Sequence, residues 1–204
     1  MIVTQITEIS KNRSKVYIDQ EFAFVLYKGE LRLYHITVEH EVKDEDYAEI
    51  MNTVLPKRAK LRAMNLLQKR TYTEKQLRDK LKEGFYSEEI IEDTISYVKS
   101  FHYVDDEQYA LDYLTYHEGS KSMRQMEMDL YKKGISKETY RQALVLWEEN
   151  GGKQDEQEMI RSLLEKKHYS ADWDLKNKQK LYGFLLRKGY SPDAITRAMR
   201  IENV

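Results

Sequence analysis

A mainly helical fold is predicted by the sequence: three tandem units of three helices each, forming an elongated, curved array, with a small N-terminal β-hairpin extension. Three serines indicate this repeat, Ser87, Ser136 and Ser191, which are separated by 49 and 55 residues. Apolar residues stand six and ten positions before each serine and four and eight positions after it. This spacing is typical of helices that bury one face, and its threefold recurrence indicates a repeat of about 50 residues.

The repeats divide the chain into four predicted segments. The N-terminal extension, a β-hairpin followed by a short helix, covers residues 1–56, and the three-helix repeats cover residues 57–104, 105–152 and 153–204. Because each short unit has an apolar face that it cannot bury alone, we expect neighbouring units to stack against one another.

The strands of the extension are predicted from alternating apolar residues. These residues lie on either side of a polar turn at residues 19–21, and they are Val16, Ile18, Phe22, Phe24 and Leu26. Alternation around a short polar turn is a hairpin pattern. Residues 2–9 are expected to add a third strand.

The segment between the hairpin and the repeats is predicted to end in a helix. Residues 30–35 form either a strand or a short helix, and Asp44 is expected to cap a helix that runs to Leu55, before Pro56. In the helix predicted at residues 57–70, the buried stripe is expected to be Leu61, Met64 and Leu67. Tyrosines are expected mainly at packing positions, as at Tyr86, Tyr140 and Tyr190.

Each repeat contains helix-capping residues at matching positions. A glycine ends the second helix and is expected to supply the left-handed conformation that other residues resist, at Gly84, Gly134 and Gly189. The aligned serines then cap the third helix by accepting from its free amides. Two pairs with the spacing of a capping box open the second helix, Thr73 with Gln76 and Ser122 with Gln125.

Composition excludes several classes of protein. The 204 residues include no cysteine, which removes disulfides and thiolate chemistry, and the mean hydropathy of −0.77 accompanies no apolar run long enough to cross a membrane. The N-terminus carries no basic leader. We therefore expect a soluble, cytoplasmic protein. We also predict that it needs no cofactor and is a monomer.

The formal net charge of −1 conceals a segregation of charge along the chain. Residues 57–82 carry ten basic and two acidic side chains, whereas residues 83–119 carry ten acidic side chains and one lysine. Segments of opposite charge predict separate basic and acidic faces on the folded protein.

Basic residues of the repeats form the predicted binding surface. They lie on the first two helices of repeat 1 and beside the glycine turns of repeats 2 and 3: Arg58, Lys60, Arg62, Lys69, Arg70, Lys75, Arg78, Lys82, Lys132, Lys133, Arg187 and Lys188. Such arrays bind phosphates or an acidic protein groove, with a pronounced dependence on salt. The alternative is that these residues pair within the chain or only keep its helices soluble.

No constellation of residues predicts catalysis. The sequence contains neither a GxxxxGK phosphate loop nor an HExxH motif, and its five histidines are scattered. Glu39, His40 and Glu41 have metal-ligand side chains but are expected in a solvated loop. Asp105 and Asp106 are better explained as residues that favour the N-terminus of a helix. We predict neither a catalytic residue nor a metal site.

Four stretches of the chain resemble the RecX family, whose members regulate the RecA recombinase. AKLRAMNLLQKRTYTEKQLRDKLKEGFYSEEIIEDTI, at residues 59–95, resembles the first RecX repeat, and YVDDEQYA, at residues 103–110, is similar to a Tyr-Val-Asp-Asp-x-x-Tyr-Ala signature of that family. SMRQMEMDLYKKGIS and LLRKGYSPDAITRAM, at residues 122–136 and 185–199, resemble the second and third repeats. The resemblance extends over residues 14–200.

This resemblance implies a non-enzymatic modulator that binds RecA in the groove of its filament on DNA. Such a protein impedes filament growth and lowers ATP hydrolysis and strand exchange in DNA repair, recombination and the SOS response. Some members also bind DNA, so weak binding to single- or double-stranded DNA is expected. The competing hypothesis is a helical-repeat nucleic-acid-binding protein that acts without RecA, which the basic stretch 57–82 favours.

Overall fold

Three antiparallel strands begin the chain in the computed structural model, which describes residues 1–199. β1 (Val3–Ser10), β2 (Arg13–Ile18) and β3 (Glu21–Tyr27) lie in the order β1-β2-β3. Asp19 and Gln20 have positive φ angles of 50° and 72°, so a two-residue turn of type I′ geometry joins β2 to β3. The predicted hairpin and third strand are confirmed.

A bulge in β3 changes which aromatic side chains are buried. Val16 pairs with Phe24 but Tyr17 pairs with Phe22, which leaves Ala23 as an extra residue in β3. Phe24 is buried, whereas Phe22 is 44 % exposed. The expectation that Phe22 and Phe24 share one face is wrong at Phe22, because a single extra residue reverses the alternation of side chains.

The helix that precedes the first repeat continues into that repeat without a break. After α1 (Lys28–Leu33), α2 (Asp44–Glu49) passes through one π-helical turn at Ile50–Val54 into α3 (Leu55–Leu67). The prediction that the helix ends before Pro56 is therefore wrong, and Lys43 rather than Asp44 is the residue before its first turn. We attribute the continuity to the wider π turn, which accommodates the proline ring and its missing N–H.

Helices α3 to α11 follow as three successive groups of three. The first group is completed by α4 (Glu74–Lys82) and α5 (Glu88–Ser100), and the second comprises α6 (Asp106–His117), α7 (Met123–Lys132) and α8 (Lys137–Glu149). The third group comprises α9 (Glu156–Lys166), α10 (Leu175–Arg187) and α11 (Pro192–Met199). Residues 200–204, the end of the predicted third repeat, lie outside the described residues.

The chain forms two compact units, residues 1–105 and the residues from Asp106 onward. In the first unit the sheet and the first helix group share one core, in which Val16 and Phe24 belong to the same cluster as Leu77 and Ile91. In the second unit each helix group has its own core, around Leu130 in the second group and Leu185 in the third. The N-terminal extension is therefore part of the first repeat's hydrophobic core.

The buried face of α3 differs from the predicted stripe. Leu55, Ala59 and Ala63 are buried, whereas Leu61 is 57 % exposed. The two alanines allow α5 to approach α3 closely, and this packing sets the buried face. Met64 and Leu67 are half-buried at its margin.

A left-handed residue stands two positions before the capping serine in every repeat. These residues are Phe85, Gly134 and Gly189, with φ angles of 65°, 96° and 88°. The expectation that Gly84 has this conformation is wrong, because Phe85 takes the position. Gly84 instead provides space, since a Cβ there would lie 2.6 Å from the Tyr86 ring and 2.9 Å from the carbonyl oxygen of Leu81.

The predicted serine caps are confirmed. Ser87, Ser136 and Ser191 accept hydrogen bonds from backbone amides three residues later, at 3.4, 3.0 and 3.3 Å. Thr73 and Gln76 form both arms of a capping box. Ser122 accepts from the amide of Gln125, whose side chain donates to Asp129, so only one arm of the second box is observed.

Within the second unit, the turn of the third helix group packs against the start of α7. The hydroxyl of Ser122 donates to the carbonyl oxygen of Lys188 at 2.7 Å. A Cβ on Gly189 would lie 2.5 Å from the Ser122 hydroxyl. Gly189 is therefore required both for its left-handed conformation and for this close approach.

We expect Gly189→Ala to lower the free energy of unfolding by at least about 1–2 kcal/mol, because a side chain is strained at φ +88° and meets Ser122. The matched control is Gly183→Ala in the interior of α10, where a Cβ lies 3.4 Å from Arg187 and removal of glycine favours the helix by about 0.5–1 kcal/mol. Urea unfolding followed by circular dichroism compares the two. Equal stability of both variants would contradict the described packing.

Candidate binding surface

The side chain of Arg58 makes its contacts within the first unit. Its guanidinium forms an ion pair with Glu30, donates to the carbonyl oxygen of Val25 at 2.9 Å and lies 4.7 Å from the centre of the Tyr27 ring. Only 17 % of the side chain is exposed. These contacts join α3 to β3 and α1, which is a structural role.

Arg78 is the centre of a network that joins α4 to α5. It donates to Glu74 and to Glu92 at 2.8 Å each, and Lys99 donates to the second oxygen of Glu74 at 2.7 Å. Burial acts to raise the pKa of Glu74, but the hydrogen bonds from Lys99 and Arg78 outweigh it and hold this pKa below its ordinary value. The network therefore depends on an ionised Glu74.

Other predicted cations of the first unit are also bound within it. Three of them pair with carboxylates: Lys60 with Asp93 at 2.8 Å, Lys75 with Asp79 at 3.4 Å and Lys82 with Glu88 at 3.1 Å. Arg62 is half-buried and donates to the carbonyl oxygen of Lys80 at 3.3 Å. Pairing between the basic and acidic stretches, the alternative raised by the sequence, accounts for much of the charge of residues 57–82.

Five predicted cations remain exposed, and the part of the chain that the structure describes contains no ion pair to any of them: Lys69, Arg70, Lys132, Arg187 and Lys188. The guanidinium of Arg70 lies 4.2 Å from the centre of the Tyr72 ring, and the ammonium of Lys188 lies 5.5 Å from that of Phe184. These aromatic contacts hold cations at the surface without neutralising them.

A network of hydrogen bonds in the second helix group lies beside Lys133, one of the predicted binding residues. Lys121 donates to Asp129 at 2.8 Å and to the hydroxyl of Tyr113 at 2.7 Å, and Tyr113 donates to Asp129 at 2.9 Å. Burial acts to raise the pKa of Asp129, but its hydrogen bonds with Lys121 and Tyr113 outweigh it and lower this pKa. Lys133 is half-buried, with its ammonium 5.7 Å from the centre of the Tyr113 ring.

A basic pocket of about 410 Å³ lies between the sheet and α3, and we call it the α3 pocket. Four cations line it, Arg13, Arg58, Arg62 and Lys69, together with apolar and aromatic side chains. The lining contains no acidic residue. Burial raises the pKa of Tyr86 at the pocket wall, although the nearby Arg58 and Arg62 act to lower it.

Two surface features are absent from the predicted set. Arg13 lies on β2 and joins the α3 pocket only through folding. Tyr97, Phe101 and Tyr103 form an exposed aromatic cluster, with ring centres 5.1 and 5.7 Å apart in successive pairs. The close spacing of three aromatic residues at the end of α5, off its apolar stripe, is the signal that identifies the cluster.

The tyrosines predicted at packing positions differ in burial. Tyr140 and Tyr190 are buried and Tyr86 is half-buried. Burial, together with the negative charge of Glu127, raises the pKa of Tyr140 to about 12. These side chains belong to the interior and the pocket wall.

Residues 1–199 contain no group of three or more histidine, aspartate or glutamate side chains placed to hold a metal ion. Three histidines have a structural role, because His35, His102 and His168 occupy left-handed positions at helix ends, with φ angles of 50°, 55° and 52°.

None of the helices described in residues 1–199 combines the length and hydropathy needed to cross a membrane.

The succession of three-helix groups, built on matching turns, defines a helical-repeat protein. The chain belongs to the RecX family of regulatory proteins: models of the first and third three-helix domains of RecX match residues 59–97 and 154–199. Regulatory protein RecX of Caldanaerobacter subterraneus subsp. tengcongensis is 33 % identical over 203 residues, which cover 98 % of this chain and 100 % of that protein. Regulatory protein RecX of Clostridium acetobutylicum is 32 % identical, over 93 % of this chain and 90 % of that protein.

Two crystal structures have similar folds. A regulatory protein RecX superposes with a TM-score of 0.62 at 22 % identity, covering 98 % of this chain and 99 % of that one. RecX from Lactobacillus salivarius gives a TM-score of 0.59 at 25 % identity, covering 72 % of this chain and 96 % of that one. The mainly helical fold with its N-terminal sheet is thus that of RecX proteins.

We expect Arg78→Met to lower the free energy of unfolding by about 1–2 kcal/mol at pH 7, because the carboxylates of Glu74 and Glu92 lose their shared cation. Lys75→Met on the same helix is the matched control. Its pair with Asp79 is exposed on both sides, so we expect a change within about 0.5 kcal/mol. Urea unfolding measures both variants.

The cost of Arg78→Met is expected to depend on pH. Since the pKa of Glu74 is lowered by folding, its ion pairs contribute stability above the ordinary pKa of 4.5 and lose it as pH falls through the folded value. The difference between variant and unmodified protein therefore shrinks below about pH 4.5. A cost that stays constant down to pH 3, or an equal cost for Lys75→Met, would contradict this assignment.

Proposed function

We propose that this RecX-family protein inhibits the RecA recombinase by binding in the groove of the RecA–DNA filament. It limits filament growth, ATP hydrolysis and strand exchange in DNA repair and recombination. The observation that carries the proposal is the match to regulatory RecX proteins along 98 % of the chain. Exposed cations on both compact units support it, because a filament presents acidic protein and phosphate surfaces along its length.

The proposed mode of action is binding alone, in the cytoplasm, as a monomer without a cofactor. The roles of the prominent polar residues support binding without catalysis. Ser87, Ser136 and Ser191 cap helices, and His102 and His168 form helix-ending turns. Each of these side chains or backbones has a structural function that explains its presence.

The surroundings of each cation support some of the proposed contact residues more than others. Lys69, Arg70, Lys132, Arg187 and Lys188 are exposed without an ion pair in the described chain, so they offer charge to a partner. Lys75 and Lys82 are exposed in weak pairs that a partner can displace. Lys133 of the second unit is half-buried. Arg58, Lys60 and Arg78 instead position the surface, because each forms a carboxylate ion pair within the first unit. Arg62 donates only to a backbone carbonyl oxygen and retains donors for a partner.

A second candidate function is nucleic-acid binding without RecA, and the acid-free lining of the α3 pocket favours it. The exposed acidic partners beside the basic residues oppose it, because carboxylates repel the phosphate backbone. A titration of labelled single-stranded DNA in the absence of RecA distinguishes the two. The second function requires tight binding with a steep salt dependence.

Addition of the protein at substoichiometric amounts is expected to reduce ATP hydrolysis by RecA on single-stranded DNA. A protein that stops filament growth affects many protomers per molecule, so inhibition exceeds the molar ratio. A coupled ATPase assay at several salt concentrations measures this effect. Unchanged hydrolysis at every salt concentration would refute the proposal.

The double variant Arg70→Glu/Lys75→Glu is expected to require at least about tenfold more protein for the same inhibition, because two exposed cations become anions. Arg141→Glu/Arg161→Glu is the matched control: both arginines are exposed, lie outside the proposed surface and undergo the same change of charge. Thermal unfolding checks that both variants remain folded. Equal weakening by the two variants would show that only net charge matters.

A further inference from the structure

The α3 pocket holds two arginines whose charges are not neutralised within the described chain. Arg13 donates to the carbonyl oxygen of Gly84 at 3.4 Å, and Arg62 donates to that of Lys80 at 3.3 Å. Both side chains are half-buried, and residues 1–199 provide no carboxylate ion pair to either. Since a guanidinium has five N–H donors, each retains donors for a ligand.

Two further cations near these arginines add to the positive charge of the pocket. Lys69 lies at the exposed margin of the pocket, and Arg58 lines it with a single carboxylate partner, Glu30, which is outside the lining. Like charges around a concave surface with apolar walls focus a positive potential into it. A bound anion would relieve their mutual repulsion, which makes the pocket selective for negative charge.

An apolar wall lies beside these cations. Val25 and Leu55 are buried beneath the pocket, while Leu61 on the pocket side of α3 is 57 % exposed. Leu66 completes this wall. The ligand that fits has an apolar side chain adjacent to its negative charges, because both kinds of surface are present within one pocket of ligand-binding size.

Two of the three aromatic residues of the pocket, Phe85 and Tyr27, are poorly placed to stack on bases. The ammonium of Lys15 lies 4.1 Å from the centre of the Phe85 ring, and Arg58 covers the ring of Tyr27 at 4.7 Å. Single-stranded nucleic acids bind through aromatic faces that are open to successive bases. A cation already occupies a face of each of these two rings, which favours a peptide over an oligonucleotide.

We propose that the α3 pocket binds a short acidic peptide segment of a protein partner. Carboxylates of the segment meet Arg13, Arg62 and Lys69, and an apolar side chain packs against Leu61. The inference deepens the proposed function, on which it rests only for the identity of the partner. It assigns these cations to recognition of protein rather than DNA, and gives the N-terminal sheet a part in binding through Arg13.

The test uses a fluorescein-labelled peptide, EDLDELDE, whose binding to the whole protein is followed by fluorescence anisotropy. We expect saturable binding that weakens as salt rises from about 0.05 to about 0.2 M. The uncharged peptide QNLNQLNQ is expected to bind at least tenfold more weakly. No binding of EDLDELDE, or equal binding of both peptides, would overturn the proposal.

Variants with exposed side chains locate the site without disturbing the core. Lys69→Glu is expected to weaken binding of EDLDELDE at least tenfold and Leu61→Ala about threefold. Lys137→Glu, an exposed lysine in the second unit with the same change of charge, is expected to stay within about twofold of the unmodified protein. Equal weakening by Lys69→Glu and Lys137→Glu would place binding elsewhere and overturn the assignment.

An equally labelled dT8 oligonucleotide distinguishes peptide from nucleic acid. Weaker binding of dT8 than of EDLDELDE, unaffected by Leu61→Ala, supports a peptide site, whereas tighter binding of dT8 that Lys69→Glu abolishes would make the pocket a nucleic-acid site. Because neither titration contains RecA, failure here leaves the ATPase result standing. If the protein does not inhibit the RecA ATPase, the peptide titration still shows whether the α3 pocket binds an acidic segment.

Discussion

The repeats depend on one short turn, in which a left-handed residue ends a helix and a serine two positions later caps the next. The left-handed residue reverses the chain, and the serine satisfies amides that the new helix would otherwise leave free. The reversal brings the apolar faces of the two helices together, as in the core around Leu130. In the second unit the same turn also contacts another repeat, because Gly189 packs against Ser122.

Many charged side chains of the first unit stabilise its fold through ion pairs and are therefore not available to a partner. Arg78 holds three carboxylates of α4 and α5, and Arg58 joins α3 to the strand and helix before it. These half-buried contacts neutralise much of the positive charge of residues 57–82. The cations that remain available, such as Lys69 and Arg70, are those whose positions on the surface bring no carboxylate within reach. A nearly neutral protein can therefore present a local positive surface to a partner.

The N-terminal sheet extends the first repeat and changes what that repeat can bind. It shares the repeat's hydrophobic core, so its position against α3 is determined by packing. This position brings Arg13 of β2 beside Arg62 of α3 and creates the α3 pocket. The exposed Leu61, which the buried alanines of α3 leave outside the core, supplies an apolar wall. The pocket is thus a product of how strands and helices pack.

The mainly helical fold, the hairpin, the serine caps and the RecX resemblance could be predicted from the amino-acid sequence, because these follow from residues a few positions apart. The bulge at Ala23, the continuous helix through Pro56, the exposure of Leu61 and the partners of each cation depend on tertiary packing. The left-handed Phe85 shows the limit of prediction from sequence: Gly84 beside it is the better local candidate, yet the positive φ angle is found at Phe85. Helix signals are local, whereas burial and ion pairing depend on segments that meet only in the folded chain.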